Sequence, residues 1–238
     1  MSLAKRPYCS LIGQLLYPSL GSRPDISFAV RKLSEFLDCY RRSHWDAAIR
    51  IVRYLKGTRE LRLRLGGENI DLRGFTDSSW GDCLDGRKSS MGYCYTLGGG
   101  LVSWSAKKQK VVATSSTEAE YIAASEACKE GLWLRTMLSL MNLPIGRKHS
   151  QYPQHEKKDE DGVPLYCDNN GAVCLALDPQ FHSRSKHFDI RYHFIRQCVD
   201  EGKISIQRVP TSSNLADIFT KPLSVIPFTR FRGLLGLC

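Results

Sequence analysis

The feature that most constrains this chain is a change of apolar period at Gly66-Gly67. Before it, apolar residues recur at helical spacing: Ile26, Val30, Leu33 and Leu37 within 25–38, then Ile49, Val52, Tyr54 and Leu55 within 44–55. This spacing predicts a helical hairpin, with Pro24 in a tolerated first-turn position, Ser43 capping the second helix and Gly57 ending it. After the change, 70–76, 90–97 and 100–105 are short runs rich in aromatic and branched residues, separated by Gly or Asp-Gly turns. Such runs predict an antiparallel meander.

The remaining pattern is a long helix over 115–141, stopped by Asn142 and Pro144, and a brief strand over 164–167 running straight into Asp168. Helices over 171–177 and 190–200, a strand over 203–209 with alternating Ile204 and Ile206, and a short helix over 214–220 complete it. The order implies an α/β fold, a mixed sheet flanked by helices, with the N-terminal helices as an appendage. Residues 1–66 form the expected helical segment, 67–223 the body and 224–238 a tail. Residues 147–162 are polar and unpatterned, which predicts a flexible insertion.

Composition narrows the function. No apolar run approaches the roughly 20 residues that cross a bilayer, so no membrane partner is expected. The first six residues lack the apolar core of a secretory leader, and the expected location is intracellular and cytoplasmic. Nine cysteines without a C-x-x-C pair read as free thiols rather than a zinc knuckle or disulfide framework. Of the net charge of +10, residues 1–65 carry +8, from 13 Lys/Arg against 5 Asp/Glu. A basic arm beside a nearly neutral body suits a protein that grips a polyanion with one part and performs chemistry with another. A solvated Arg-rich helix surface gives the same composition.

Four carboxylates carry the expected chemistry. Asp77 closes the first strand, Asp168 follows the fourth, and Asp217 sits inside the last short helix, where an Asp needs a partner. Taken alone, Asp77 reads more readily as a turn or cap residue and Asp168 as the cap of the next helix. Glu118 and Glu120 are two apart on one helix, so only one can face the sheet. Ala123, Ala124, Ala127, Leu134 and Leu138 continue the Glu120 face, which points it inward, although Thr117 is spaced to cap with it. Glu118 completes a capping box with Ser115. Several carboxylates in one cleft raise one another's pKa, a cost that a divalent cation removes. Mg²⁺, with oxygen ligands and retained waters, suits phosphodiester hydrolysis.

Ordered motifs then carry a resemblance: GFTDSSWG at 74–81, GRKSSMGY at 86–93, VSWSAKKQ at 102–109, SSTEAEYIAA at 115–124, YCDNN at 166–170, KHFDIRYHFIR at 186–196 and NLADIFTKPL at 214–223. The sequence resembles the ribonuclease H region of the Pol polyprotein of copia-type LTR retrotransposons. The stretch 17–61, with GSRPD at 21–25 and IVRYLKGT at 51–58, resembles the piece that joins reverse transcriptase to the nuclease. The resemblance implies a ribonuclease H-like fold and cleavage of the RNA strand of an RNA/DNA hybrid, leaving a 5′-phosphate and a 3′-hydroxyl. It places the catalytic, metal-holding set on Asp77, Glu120, Asp168 and Asp217, with two Mg²⁺ ions, Mn²⁺ as a substitute and no small-molecule cofactor. The reverse-transcriptase part of the same polyprotein is the implied partner. No Tyr-x-Asp-Asp tetrapeptide occurs, so polymerase activity is not expected of this chain.

Lys107, Lys108, Lys110, Arg184 and Lys186 are the expected phosphate contacts, with a solvated surface as the bland alternative. The loop 208–213 lacks the His that wider relatives place before their last Asp; His187 and His193 are candidate substitutes, against packing or capping roles. Trp80, Trp104 and Tyr93 are groove or core aromatics, with core burial expected for at least two. The rival to the enzyme is a relic of the element, folded and binding nucleic acid without catalysis.

Overall fold

A computed structural model describes residues 6–67, 70–83, 85–143, 162–177 and 189–238. The expected insertion, apart from Gly162, lies outside the described residues.

The chain opens with α1 (Tyr8–Gly21), which the apolar spacing above does not single out. Tyr8, Ile12, Leu15 and Ser19 form its buried stripe, and the Tyr8 hydroxyl donates to Leu33 O at 2.8 Å. The expected helix over 25–38 is a 3₁₀ turn, Pro24–Ile26, followed by α2 (Ser27–Ser34). The next helix, α3 (Arg42–Gly57), is capped not by Ser43 but at Arg41, whose N–H donates to His44 Nδ1 at 3.0 Å. These helices enclose their own apolar cluster, with Ile12, Val30 and Ala48 at its centre.

Five strands follow: β1 (Arg73–Ser79), β2 (Ser90–Leu97), β3 (Gly100–Lys108), β4 (Val163–Cys167) and β5 (Ile204–Arg208). They form one sheet in the order β3-β2-β1-β4-β5. The first three are antiparallel neighbours, while β4 runs parallel to both β1 and β5. This mixed sheet is ribonuclease H-like, as the motifs imply.

Between β3 and β4 runs α4 (Ser116–Leu140), which packs on one sheet face with α5 (Asn170–Leu177) and α6 (Asp189–Asp200) around Tyr95, Leu165, Ile195 and Ile204. Gly131 permits the close approach, because a Cβ there would lie 2.5 Å from the Tyr95 hydroxyl oxygen. That hydroxyl instead donates to Ala127 O at 2.7 Å.

The opposite face is covered by a 3₁₀ turn (Leu215–Phe219) and by α7 (Val225–Leu234). The residues expected as a tail thus hold a helix, and they also pair with the N-terminal segment. Arg62 and Cys238 exchange backbone hydrogen bonds, Arg64 N–H donates to Gly236 O, and Leu63 bridges Leu237. Strand β3 joins the same seam through Leu101 N–H to Leu235 O.

The N-terminal helices dock at the β3 edge through matched charges. Lys32 meets Asp82 at 2.6 Å, Glu35 meets Lys108 at 3.0 Å, Arg31 donates to Ser90 Oγ at 2.6 Å, and Trp104 Nε1 donates to Ser19 O at 2.8 Å. Behind them Arg23 grips the buried Asp25 with two nitrogens, and the Tyr54 hydroxyl donates to the same carboxylate at 2.6 Å. Arg232 of α7 reaches the Tyr54 oxygen at 3.1 Å.

Candidate metal centre

The four expected carboxylates arrive on four different elements and meet at one end of the sheet. Asp77 lies within β1 rather than at its end, because the ladder to β2 continues through Ser78 opposite Met91 and Ser79 opposite Ser90. Its own partner is Gly92. A Cβ at Gly92 would lie 2.7 Å from Phe219 Cβ and 3.0 Å from Thr220 Cγ2, so a glycine is needed for the 215–219 turn to lie on the sheet. Asn214 fixes that turn, donating from Nδ2 to Thr76 O at 3.0 Å and accepting from Ala216 N–H at 3.2 Å. The turn is 3₁₀ rather than α-helical, and it presents Asp217 toward Asp77.

Asp168 follows β4 and is half-buried. Capping of α5 falls instead to Asn169, whose Oδ1 accepts from Ala172 N–H at 3.0 Å. Glu120 is buried on the sheet-facing side of α4, as its helical spacing predicts. Ser115 is the cap of α4, accepting from Glu118 N–H at 3.1 Å, and the Glu118 carboxylate turns back to Thr114 N–H and Oγ1. Glu118 is therefore a cap residue and Thr117 is not the N-cap.

Oxygens of Asp77, Asp168 and Asp217 lie within 4.8 Å of one another. The same limit holds for Glu120, Asp168 and the Cys167 sulfur, so Asp168 joins two overlapping groups. Cys167 Sγ is 3.9 Å from Glu120 Oε2. Gln109, fully buried, braces the N-terminal end of α4 by donating to Ala119 O at 2.8 Å and to Ser78 Oγ at 3.2 Å.

The electrostatics follow from crowding acids where water is scarce. Burial is the largest cause raising the Glu120 carboxyl well above its ordinary range, with Asp77 and Asp168 adding to it. Burial also raises Asp77, against the opposing pull of Lys221 and Thr220. Asp217 is pushed up to about 7, by burial first and Asp77 second. Two unit charges 4 Å apart repel by about 4 kcal/mol at an effective dielectric near 20.

Two neighbours soften the repulsion. Thr220 Oγ1 donates to Asp77 Oδ2, and Lys221 Nζ lies 3.5 Å from Asp77 Oδ1 and 3.1 Å from Asp217 Oδ1. Burial alone would lower the Lys221 pKa, yet Asp77 and Asp217 together raise it. The contact with Asp217 is an ion pair without aligned hydrogen-bond geometry, and Asp217 Oδ1 has no other donor among the described residues. A divalent cation fits this set: the donors are carboxylate oxygens, one buried oxygen lacks an aligned donor, and burial together with mutual repulsion disfavours the charged carboxylates that a cation would stabilise. The arrangement is a possible acidic metal site.

The other candidates are scattered. Lys108 is tied to Glu35, while Lys107 and Lys110 are exposed near the end of β3. His193 is exposed on α6, and Arg184, Lys186 and His187 lie outside the described residues. Tyr93 and Trp104 pack partly buried against two cores, whereas Trp80 is 56% exposed, its Nε1 donating to Ala113 O at 3.0 Å. Lys221, Thr220 and Gln109 were not singled out by sequence. Only Lys221 left a signal, its four-residue spacing from Asp217.

No family model matches the chain. A retrovirus-related Pol polyprotein from transposon TNT 1-94 of Nicotiana tabacum is 41% identical over 236 residues, covering 99% of this chain and 17% of its own length. A retrovirus-related Pol polyprotein from transposon RE2 of Arabidopsis thaliana is 37% identical over 231 residues, covering 97% of this chain and 15% of its own length. The chain thus spans about a sixth of these relatives. The solved N-terminal ribonuclease H domain of a Mycobacterium tuberculosis protein, fused to maltose-binding protein, overlays with a TM-score of 0.42 at 11% identity, covering 63% of this chain and 91% of that one.

Proposed function

Because the chain belongs to the Pol polyproteins of copia-type retrotransposons, we propose that it is their ribonuclease H, a metal-dependent endonuclease acting on the RNA strand of RNA/DNA hybrids during reverse transcription. The observation that carries this reading is the convergence of Asp77, Glu120, Asp168 and Asp217 from four separate elements onto one end of the sheet. Acids placed only to cap helices would be satisfied locally, as Glu118 is by Thr114. These four are held together against their own repulsion.

In this reading the four carboxylates hold two Mg²⁺ ions, with Mn²⁺ able to substitute. Bound there, the ions supply an activated water and stabilise the leaving oxygen. The chain's own residues position the rest. Asn214 and Gly92 set Asp217 against the sheet, Gln109 braces the end of α4 that bears Glu120, and the exposed Lys107 and Lys110 are available to phosphates. Exposed Arg42, Arg50, Arg53 and Lys56 share one face of α3 and offer a second phosphate-holding surface. The 2′-hydroxyls of the wide minor groove distinguish the RNA strand. The reverse-transcriptase part of the same polyprotein is the proposed partner that delivers the hybrid.

The test is incubation of the full chain with end-labelled RNA/DNA hybrid, RNA duplex and DNA duplex, with Mg²⁺, Mn²⁺ or chelator. Cutting of RNA in the hybrid alone, dependent on metal and leaving 5′-phosphate and 3′-hydroxyl ends, is the expected result. Hybrid binding without cleavage in either metal would establish the inactive relic instead.

A further inference from the structure

Lys221 stands out because, among the described residues, it is the cation that pairs with these acids. Asp77 has both oxygens engaged: Oδ2 by the Thr220 hydroxyl and Oδ1 by Lys221 Nζ at 3.5 Å. Asp217 Oδ1 faces the same ammonium at 3.1 Å. Each carboxylate oxygen keeps a further lone pair, but a metal bridging Asp77 Oδ1 and Asp217 Oδ1 would need the place that the ammonium occupies and so must displace a donor. Thr220 is fully buried on a short side chain. Lys221 ends a flexible four-carbon stem and its side chain is 34% exposed, so it is the donor with somewhere to go. A divalent ion and an ammonium sharing the same two oxygens would also repel each other.

We propose that Lys221 is the resident counter-cation of the site, holding Asp77 and Asp217 together until a divalent ion takes its place, so that metal binding is an exchange of cations. The inference rests on the metal reading of the four carboxylates. It makes Lys221 a positioning residue: it keeps the acids assembled in the empty site and, once released, is a mobile cation beside the reaction centre.

Two measurements test it without reference to activity. Mn²⁺ binding, followed by the loss of the free-ion resonance signal, is compared between wild type and Lys221→Met, with circular dichroism to establish folding. Removing the competitor should tighten Mn²⁺ binding at least about tenfold, while the metal-free melting temperature falls. In the wild-type chain, acylation of Lys221 read by mass spectrometry should rise several-fold when Mn²⁺ is added, with exposed Lys110 as the unchanged control. This second measurement decides the matter even if Lys221→Met does not fold. Equal or weaker Mn²⁺ binding by a folded Lys221→Met, or labelling that Mn²⁺ leaves unchanged while it binds, would overturn the exchange and leave the metal site standing. No Mn²⁺ binding by the wild-type chain would overturn the metal site, and the exchange with it.

Discussion

The described residues hold two dense charge clusters that answer opposite needs. At the seam between the N-terminal helices and the sheet, Arg31, Lys32 and Lys108 face Glu35 and Asp82, and Arg23 faces Asp25. Acids and bases there are matched, and the buried pair is satisfied by bidentate geometry. At the sheet end, four acids face one lysine. A balanced cluster joins elements, whereas an unbalanced one sets a demand for a cation from outside. Charge density alone does not separate the two; the ratio of acids to bases does.

Neutralising one acid in each cluster should break the comparison most sharply. Asp77→Asn is expected to reduce hybrid cleavage by on the order of 10³-fold or more, since several kcal/mol of transition-state stabilisation depend on the metal. Its metal-free melting temperature should stay level or rise, because the cost of burying its charge is gone, and with it the repulsion from Asp168. A large fall in metal-free stability would show that Asp77 is structural. Asp25→Asn should do the reverse, costing about 3 kcal/mol in denaturant unfolding by leaving Arg23 buried and unpaired. Residual cleavage by its folded fraction should match wild type.

A pH series separates the clusters next. Asp217 is raised from the usual carboxylate range near 4 to about 7, so the folded chain binds its proton more tightly than the unfolded chain does. The stability it contributes is therefore greatest below about pH 4 and is lost as pH rises toward 7. Metal-free unfolding midpoints should decline across that window, and Asp217→Asn should flatten the decline. Saturating Mg²⁺ should do the same for the wild type. A decline unaffected by either would place its cause elsewhere.

The smallest expected effect is the control. Glu118→Gln should cost at most about 1 kcal/mol through a weaker cap and leave cleavage intact. Loss of cleavage in Glu118→Gln but not in Glu120→Gln would invert the assignment of faces on α4.

Much of this was legible because local rules determine it. The face of α4 followed from the small residues that continue Glu120, and the sheet from alternation around glycine turns. Helix α1 was hidden because it is apolar nearly all round, with Tyr17 and Leu20 left exposed, so no stripe stands out. Helix α7 was hidden because only Phe231 within it is buried, its anchors Leu235 and Leu237 lying beyond its end. Lys221 was legible only as a four-residue spacing from Asp217, because its contact with Asp77, which gives that spacing meaning, spans 144 residues. The basic arm was legible as charge but not as surface, since Arg23, Arg31 and Lys32 are spent on internal pairs.

The seam between residues 62–64 and 236–238 has a consequence in time. The helices before it draw their apolar cluster from residues 8–55, a local set that can assemble as soon as it is made. Their charge contacts with the sheet need only residues 82–108, but the backbone pairing of 62–64 waits for a segment about 170 residues further on, and at roughly 5–20 residues per second of synthesis that is a delay on the order of ten seconds or more. During this interval the β3 edge lacks the Leu235 carbonyl that later accepts from Leu101, so it is open to pairing with another strand. Ribosome-arrested chains ending before residue 231 should carry a compact helical unit and a sheet sensitive to protease at its β3 edge. Chains long enough to expose residue 238 should lose that sensitivity.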